Sequence, residues 1–330
     1  MAPNLKDIAA HAGVSTATVS RVLSGARPVN AELRERVMAA VEKHGYQPNL
    51  VARSLRMSTS FVLSVIVPSI TDPFFSEIAR AIEDVAYATG YSVNICSSDG
   101  ALEKEQRHLQ AVSRRRVDGV FIKVADMHKS NLAPLIRSGI PVVLVDRMLD
   151  GAALDTVTVD TRQGASAAVD YLVQRGYRRI ATLAGPQHVS TAIHKLEGYC
   201  QALVDNGLAV DASLIAIGDY TEASGRQLGR QLLDLPEPPD AFLVANNQMT
   251  FGFFSVLRER GLRIPQQIAL IGFDDSDWTS IAIPPITVID QPAYEVGHVA
   301  AQMLLERLAD SDREPQHRIL STRLIVRGSC

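Results

Sequence analysis

The chain has 330 residues, 46% of them hydrophobic, and carries 33 Lys and Arg against 36 Asp and Glu, a net charge of −3. That length and apolar content support two or three domains with a large core, and the dispersed 21% of charged residues excludes wholesale disorder. Three widely spaced cysteines without a CxxC argue against a disulfide framework or a cysteine metal site. No cationic leader precedes an apolar run, and the longest apolar run is too short to span a bilayer. A cytoplasmic chain with no membrane partner is expected.

Charge is unevenly spread. Residues 1–60 hold eight Lys and Arg and four acids, a net +4, which leaves −7 for the remainder. A basic end on an acidic body suggests a local anionic partner. Three short helices are predicted in this end. The first starts at the N-cap residue Asn4, with Asp7 at the positive end of the dipole, buries Leu5, Ile8, Ala9 and Ala12, and stops at Gly13.

The second helix lies in "GVSTATVSRVLSG", residues 13–25, with Ser15 as its cap. Val19, Val22 and Leu23 fall in one arc of about 100°, and Thr16, Ala17, Ser20, Arg21 and Ser24 fall in the opposite one. A surface chosen only for solubility would carry Glu and Lys there. Small side chains permit close approach to a partner, hydroxyls bond phosphates or base edges, and an arginine forks onto guanine. The third helix starts at Asn30, buries Leu33, Val37, Ala40 and Val41, and ends at Gly45. Two helices across a tight glycine turn with a bracing third make a helix-turn-helix domain or, on pattern alone, an ordinary three-helix bundle. In "YQPNLVARSLRMSTS" about eight residues follow Pro48 and Asn49. That is a linker, or a segment that folds only on DNA with Leu55 as a minor-groove wedge.

From Phe61 onward apolar runs alternate with helical patterns. "FVLSVIV", "YSVNIC", "DGVFIKV" and "PVVLVD" are separated by helices near 74–89, 101–115 and 129–137. After Asp160 the rhythm restarts with "RIATLAG", "SLIAIGD", "DAFLVAN" and "IALIGFD", separated by helices near 191–206, 222–233 and 248–260. Two successive series predict an α/β body of two parallel-sheet subdomains, with ligands beyond the carboxyl ends of the strands. Those ends carry Asp72 with Phe74 and Phe75, Asp146 with Arg147, Asn246, Asp274 and Asp275, with Tyr220 and Gln291 at comparable exits. Paired carboxylates and amides beside flat aromatic faces suit a polyol ring, and a site that bonds hydroxyls rejects analogues lacking them.

"LKDIAAHAGVSTATVSRVLSG" followed by "NLVARSLR" closely resembles the lactose-repressor (LacI/GalR) family of bacterial transcriptional regulators. The resemblance implies a small all-α helix-turn-helix domain (1–47) and a hinge (48–60). A Rossmann-like core resembling periplasmic sugar-binding proteins follows (61–330), with one subdomain near 61–160 plus 292–321 and the other near 161–291 plus 322–330. It also implies that Thr16, Ala17 and Arg21 read bases, that Ser15, Ser20 and Asn30 contact phosphates, and that Leu55 is the intercalating hinge leucine. "TDPFF", "VDR", "ANNQM" and "GFDD" resemble the ribose-type binders' aromatic, Asp-Arg, Asn and Asp positions, with Tyr220 and Gln291 at matching places. One departure is Lys195 in "HKLEGY", where many sugar-responsive members have arginine. A lysine is a point charge rather than a fork, and with Arg147 it admits a sugar acid as well as a neutral sugar.

No GxGxxG, GxxxxGK[ST], GxSxG or HExxH motif occurs, so no cofactor, metal or catalytic residue is expected. The expected protein is a regulator, a repressor by preference. It binds double-stranded operator DNA as a homodimer and is controlled by a small sugar or sugar-acid effector held between the core subdomains. A twofold protein matches a twofold operator, and the end of the chain shows no apolar heptads for a tetramerisation tail. The two sites would be coupled reciprocally by about 1–3 kcal/mol. A transport solute receptor and a sugar-acting enzyme are the rival classes.

Overall fold

The computed structural model describes residues 3–24, 29–46, 59–115 and 117–330. It divides into two units, Met1–Ser60 and Phe61–Cys330. The hinge reading, including Leu55, lies outside the described residues.

In the first unit α1 spans Leu5–Ala12, α2 Thr16–Ser24 and α3 Ala31–His44. Asn4 and Asp7 form a reciprocal capping box on α1, and Gly13 ends it at φ 64°. Arg36 of α3 donates to the Ala12 carbonyl at 2.6 Å and so covers an orphan acceptor at the end of α1. A Cβ at Gly13 would meet that guanidinium at 2.9 Å, a second reason for glycine there. Ser15 Oγ accepts from the Thr18 amide at 3.1 Å, and Asn30 Oδ1 from the Glu32 amide at 3.0 Å. Ile8, Ala9, Ala12, Val19, Val22, Val37 and Ala40 form the core.

The second unit holds two parallel sheets. Its first half contains β1 (Val62–Val67), α4 (Pro73–Ala88), β2 (Ser92–Ser97), α5 (Leu102–Arg115), β3 (Gly119–Ile122), α6 (Ala133–Arg137), β4 (Val142–Val145) and β5 (Asp155–Val159). The other half contains α7 (Thr161–Gln174), β6 (Ile180–Ala184), α8 (Ser190–Asp205), β7 (Ile215–Ile217), α9 (Glu222–Leu233), β8 (Ala241–Val244), α10 (Asn247–Glu259), β9 (Ala269–Phe273), α11 (Asp277–Ile281) and β10 (Thr287–Asp290). The chain then returns to the first half through α12 (Ala293–Ala309) and β11 (His317–Leu320), and ends in the second with β12 (Arg323–Ile325). Sheet orders are β11-β5-β4-β3-β1-β2 and β12-β10-β9-β8-β6-β7. The central strands of each sheet are buried on both faces by helices, as parallel sheets require, while the edge strands β2, β7 and β11 are partly exposed.

Three details depart from expectation. The helix near 129–137 is confined to Ala133–Arg137, because Asp126 takes the amides of His128 and Lys129 and folds 126–130 into a turn. β5, α7, α11, β10, α12, β11 and β12 go unread in the sequence. β12 runs antiparallel to β10, whereas every other pairing is parallel.

Candidate functional site

The carboxyl ends of both sheets face one cleft of about 600 Å³. The ten strand-end and helix-start residues gathered from the sequence, Asp72, Phe74, Phe75, Asp146, Arg147, Lys195, Tyr220, Asn246, Asp274 and Gln291, all line it. Four non-glycine residues on this wall hold left-handed backbone: Asp99 (φ 53°), Asp146 (63°), Tyr220 (70°) and Asp274 (71°). Each such residue costs about 1–2 kcal/mol. Strain concentrated at strand exits is characteristic of a working site.

The first half supplies ion-paired side chains. Lys123, directly after β3, pairs with Asp146, directly after β4, and both are nearly fully buried. Burial opposes charge on Asp146, yet the Lys123 ammonium holds its carboxyl below the usual range. Burial likewise draws Lys123 down to about 8, against the pull of Asp146. The same ammonium lies 4.2 Å from the Phe75 ring centroid and 5.3 Å from that of Phe74. The aromatic face expected to meet a ligand ring already carries a cation. Arg147 donates to the Val124 carbonyl at 2.8 Å, and burial lowers its pKa. Asp72 caps α4 by accepting from the Phe74 amide at 3.0 Å. Burial, then the nearby Asp274 charge, push its carboxyl up to about 6.

The second half anchors its polar groups largely on backbone. Asn246 caps α10 through the Met249 amide at 3.0 Å and donates to the Tyr220 carbonyl at 3.1 Å. Asp274 accepts from the Asn247 amide at 3.3 Å and from the Gln291 side-chain amide. Lys195 donates to the Ala245 carbonyl at 2.8 Å, with its ammonium 4.0 Å from the Phe273 ring centroid. Tyr220 packs on Gly185, where a Cβ would come within 2.2 Å of the ring. Burial raises its hydroxyl to about 12. The halves also bond directly: the Met127 amide donates to the His188 carbonyl at 2.9 Å and the Met148 amide to Ser190 Oγ at 3.0 Å.

Among the described residues, eight buried side-chain polar atoms lack a hydrogen-bond partner, and four are on this wall: Asp146 Oδ1, Arg147 Nε, the Tyr220 hydroxyl and Gln291 Oε1. Orphaned buried polar atoms are costly. Two acceptors, one donor and one hydroxyl converging on a cleft are what a polyhydroxylated guest would satisfy. Lys123 escapes the sequence reading because it terminates an apolar run and resembles a strand-end turn residue. The available signal was that a lysine buried there requires a carboxylate, which the next strand supplies.

On α2, Thr16, Ala17 and Arg21 are exposed and Ser20 is half-buried, while Val19 and Val22 face the core. No group of three potential metal ligands occurs among the described residues, and none of their helices is long and apolar enough to cross a membrane.

A helical reader with a small-residue polar face, joined to a two-sheet body that holds a polar cleft, defines a ligand-responsive DNA-binding protein. Residues 4–49 match the family described as bacterial regulatory proteins, lacI family. Residues 60–327 match the family of periplasmic binding proteins and the sugar binding domain of the LacI family. The HTH-type transcriptional repressor CytR of Escherichia coli (strain K12) is 36% identical over 328 residues, 99% of this chain and 96% of its own. The Lac repressor dimer bound to operator and the anti-inducer ONPF superposes with a TM-score of 0.89 at 30% identity, covering 100% of this chain and 99% of that one. The transcriptional regulator CelR–cellobiose complex gives 0.77 at 31%, covering 99% and 100%. The chain belongs to the lacI family of bacterial regulatory proteins and is a DNA-binding transcriptional regulator.

Proposed function

We propose that the protein represses transcription in the cytoplasm as a homodimer on a pseudo-palindromic operator, and that a sugar or sugar acid in the cleft sets its operator affinity. The observation that carries the effector reading is the set of four unpartnered polar atoms, Asp146 Oδ1, Arg147 Nε, the Tyr220 hydroxyl and Gln291 Oε1, from both halves on the lining of one cleft. Thr16, Ala17 and Arg21 read bases. Ser15, Ser20 and Asn30 contact phosphates, with Asn30 retaining its amide donors after its oxygen caps α3. Leu55 is assigned the wedge. Exposed apolar side chains support dimerisation: Ile70 and Ile95 on the first half, and Phe251, Ile281 and Ile283 on the second.

A thermal-shift screen of pentoses, hexoses and their acids tests the effector reading. A true ligand at 100 times its Kd adds about 2.7 kcal/mol of stability, and a flat response across the panel removes it. Arg21→Ala tests the reader. The substitution should cost about 1–3 kcal/mol at the cognate operator and little on random DNA, whereas equal losses on both would deny base reading.

A further inference from the structure

The two ends of the cleft differ. Along the second sheet, Gln291 follows β10 and Asp274 follows β9, whereas α8 follows β6 and Tyr220 follows β7. Gln291 and Asp274 therefore stand at one end, and the start of α8 and Tyr220, beside the already engaged Asp219 and Glu222, at the other.

The α8 end has three donor components. The 16-residue helix α8 starts at Val189 with no side-chain cap, and the amides of Ser190 and Thr191 donate to no group among the described residues. Both residues are buried, and Val189 and Thr191 line the cleft. Such a helix start concentrates N–H donors and the positive end of the dipole. Arg147 is only 5% exposed, and its Nε has no partner. The hydrogen bond from the next residue's amide to Ser190 Oγ sets this arginine beside the first turn of α8. The buried Tyr220 hydroxyl is the third unpartnered group.

The wall's charges are mixed, with Asp72 and Asp274 held by backbone amides rather than by cations. Several acids on the wall are already engaged: Asp146 with Lys123, Asp99 with Lys104, Asp219 with Thr221 and Glu222 with Arg226. Among the described residues, neither Arg147 nor Lys195 has a carboxylate within ion-pairing distance. Asp274, Asp146 and Asp72 attract Lys195 from farther off and Asp146 and Glu105 attract Arg147, so it is the unpartnered Arg147 Nε and the open α8 amides that call for an oxyanion.

We propose that the effector carries an oxyanion, a carboxylate or a phosphate, that docks on the first turn of α8 beside Arg147, while its hydroxyls engage Asn246, Asp274 and Gln291. This rests on the effector reading above and narrows it to an acidic sugar derivative.

The test uses the full chain and two matched series in calorimetry at pH 7.5: D-ribose, D-ribonate and D-ribose 5-phosphate, and D-glucose, D-gluconate and D-glucose 6-phosphate. In at least one series an anionic member should bind ten or more times tighter than its neutral parent, and which member wins separates carboxylate from phosphate. A neutral parent that binds as well as or better than both anions overturns the inference and leaves the effector reading standing. Silence from every compound overturns both. A paired substitution locates the oxyanion. Ser190→Pro deletes the first-turn N–H at a position where proline is tolerated, after an extended Val189 (φ −124°, ψ 136°), and Ser190→Ala removes only the hydroxyl. Both variants lose the Met148 contact, so the first-turn N–H is read as the extra loss, at least tenfold, of the proline variant over the alanine variant. Equal losses would reject the helix start as its seat. The comparison within the unaltered protein stands even if the proline variant does not fold.

Discussion

The two halves of the body share a strand order, but they hold their polar groups in different ways. In the first half, Lys123 and Asp146 neutralise each other side chain to side chain, beside a backbone-held Asp72 and Arg147. In the second, Asn246, Asp274 and Lys195 are each fixed by a backbone amide or carbonyl. A backbone anchor comes with the fold, because helix starts and strand ends have orphan donors and acceptors to give. A side-chain pair exists only while both partners remain. Breaking the Lys123–Asp146 pair should therefore act through stability, and removing a backbone-anchored group such as Asp274 through ligand recognition.

The sharpest way to break this contrast is Lys123→Met, which strands a buried carboxylate and should cost about 3–5 kcal/mol in thermal melts. Lys195→Met, which leaves a carbonyl, a ring and only distant carboxylates behind, should cost well under half of that. Equal losses would erase the distinction between the halves. Next in size is Asp274→Ala. Losing a charged acceptor for ligand hydroxyls should weaken effector binding by about 2–3 kcal/mol and leave ligand-free operator affinity intact. Unaltered affinity in calorimetry would displace the proposed pocket.

The smallest effect concerns Asp72. Its carboxyl is pushed up to about 6 from the usual 3.8. The native state therefore binds more protons than the unfolded chain between those values, and stability falls as pH rises across that window. Asp72→Asn keeps a good helix cap. It should gain nothing near pH 3.5 and on the order of 2 kcal/mol above pH 6.5. A gain independent of pH would mean that ionisation of Asp72 is not what costs stability.

Legibility in the sequence follows the same division between local and distant determinants. The helical reader was legible because its caps, its glycine turn and the two faces of α2 are set by near neighbours. The apolar strands of the body were legible from their runs. β5 was not, because "DTVTV" alternates polar residues that are nonetheless all buried. α7 was missed because Gly164, Ala165 and Ala168 bury a face of small residues with little hydrophobic signal. At the strand exits, residue types could be read but their pairings could not. Lys123 and Asp146 meet only because β3 and β4 are neighbours in the sheet.

The chain passes between the two halves three times, after β5, after β10 and between β11 and β12. A protease that nicks any one of these crossings leaves the other two uncut, and the fragments stay together through strand pairing and helix packing within each half. Singly cut protein should run as fragments on a denaturing gel yet elute intact from a sizing column. The same triple strap lets the halves pivot about each other while preventing either from drifting away.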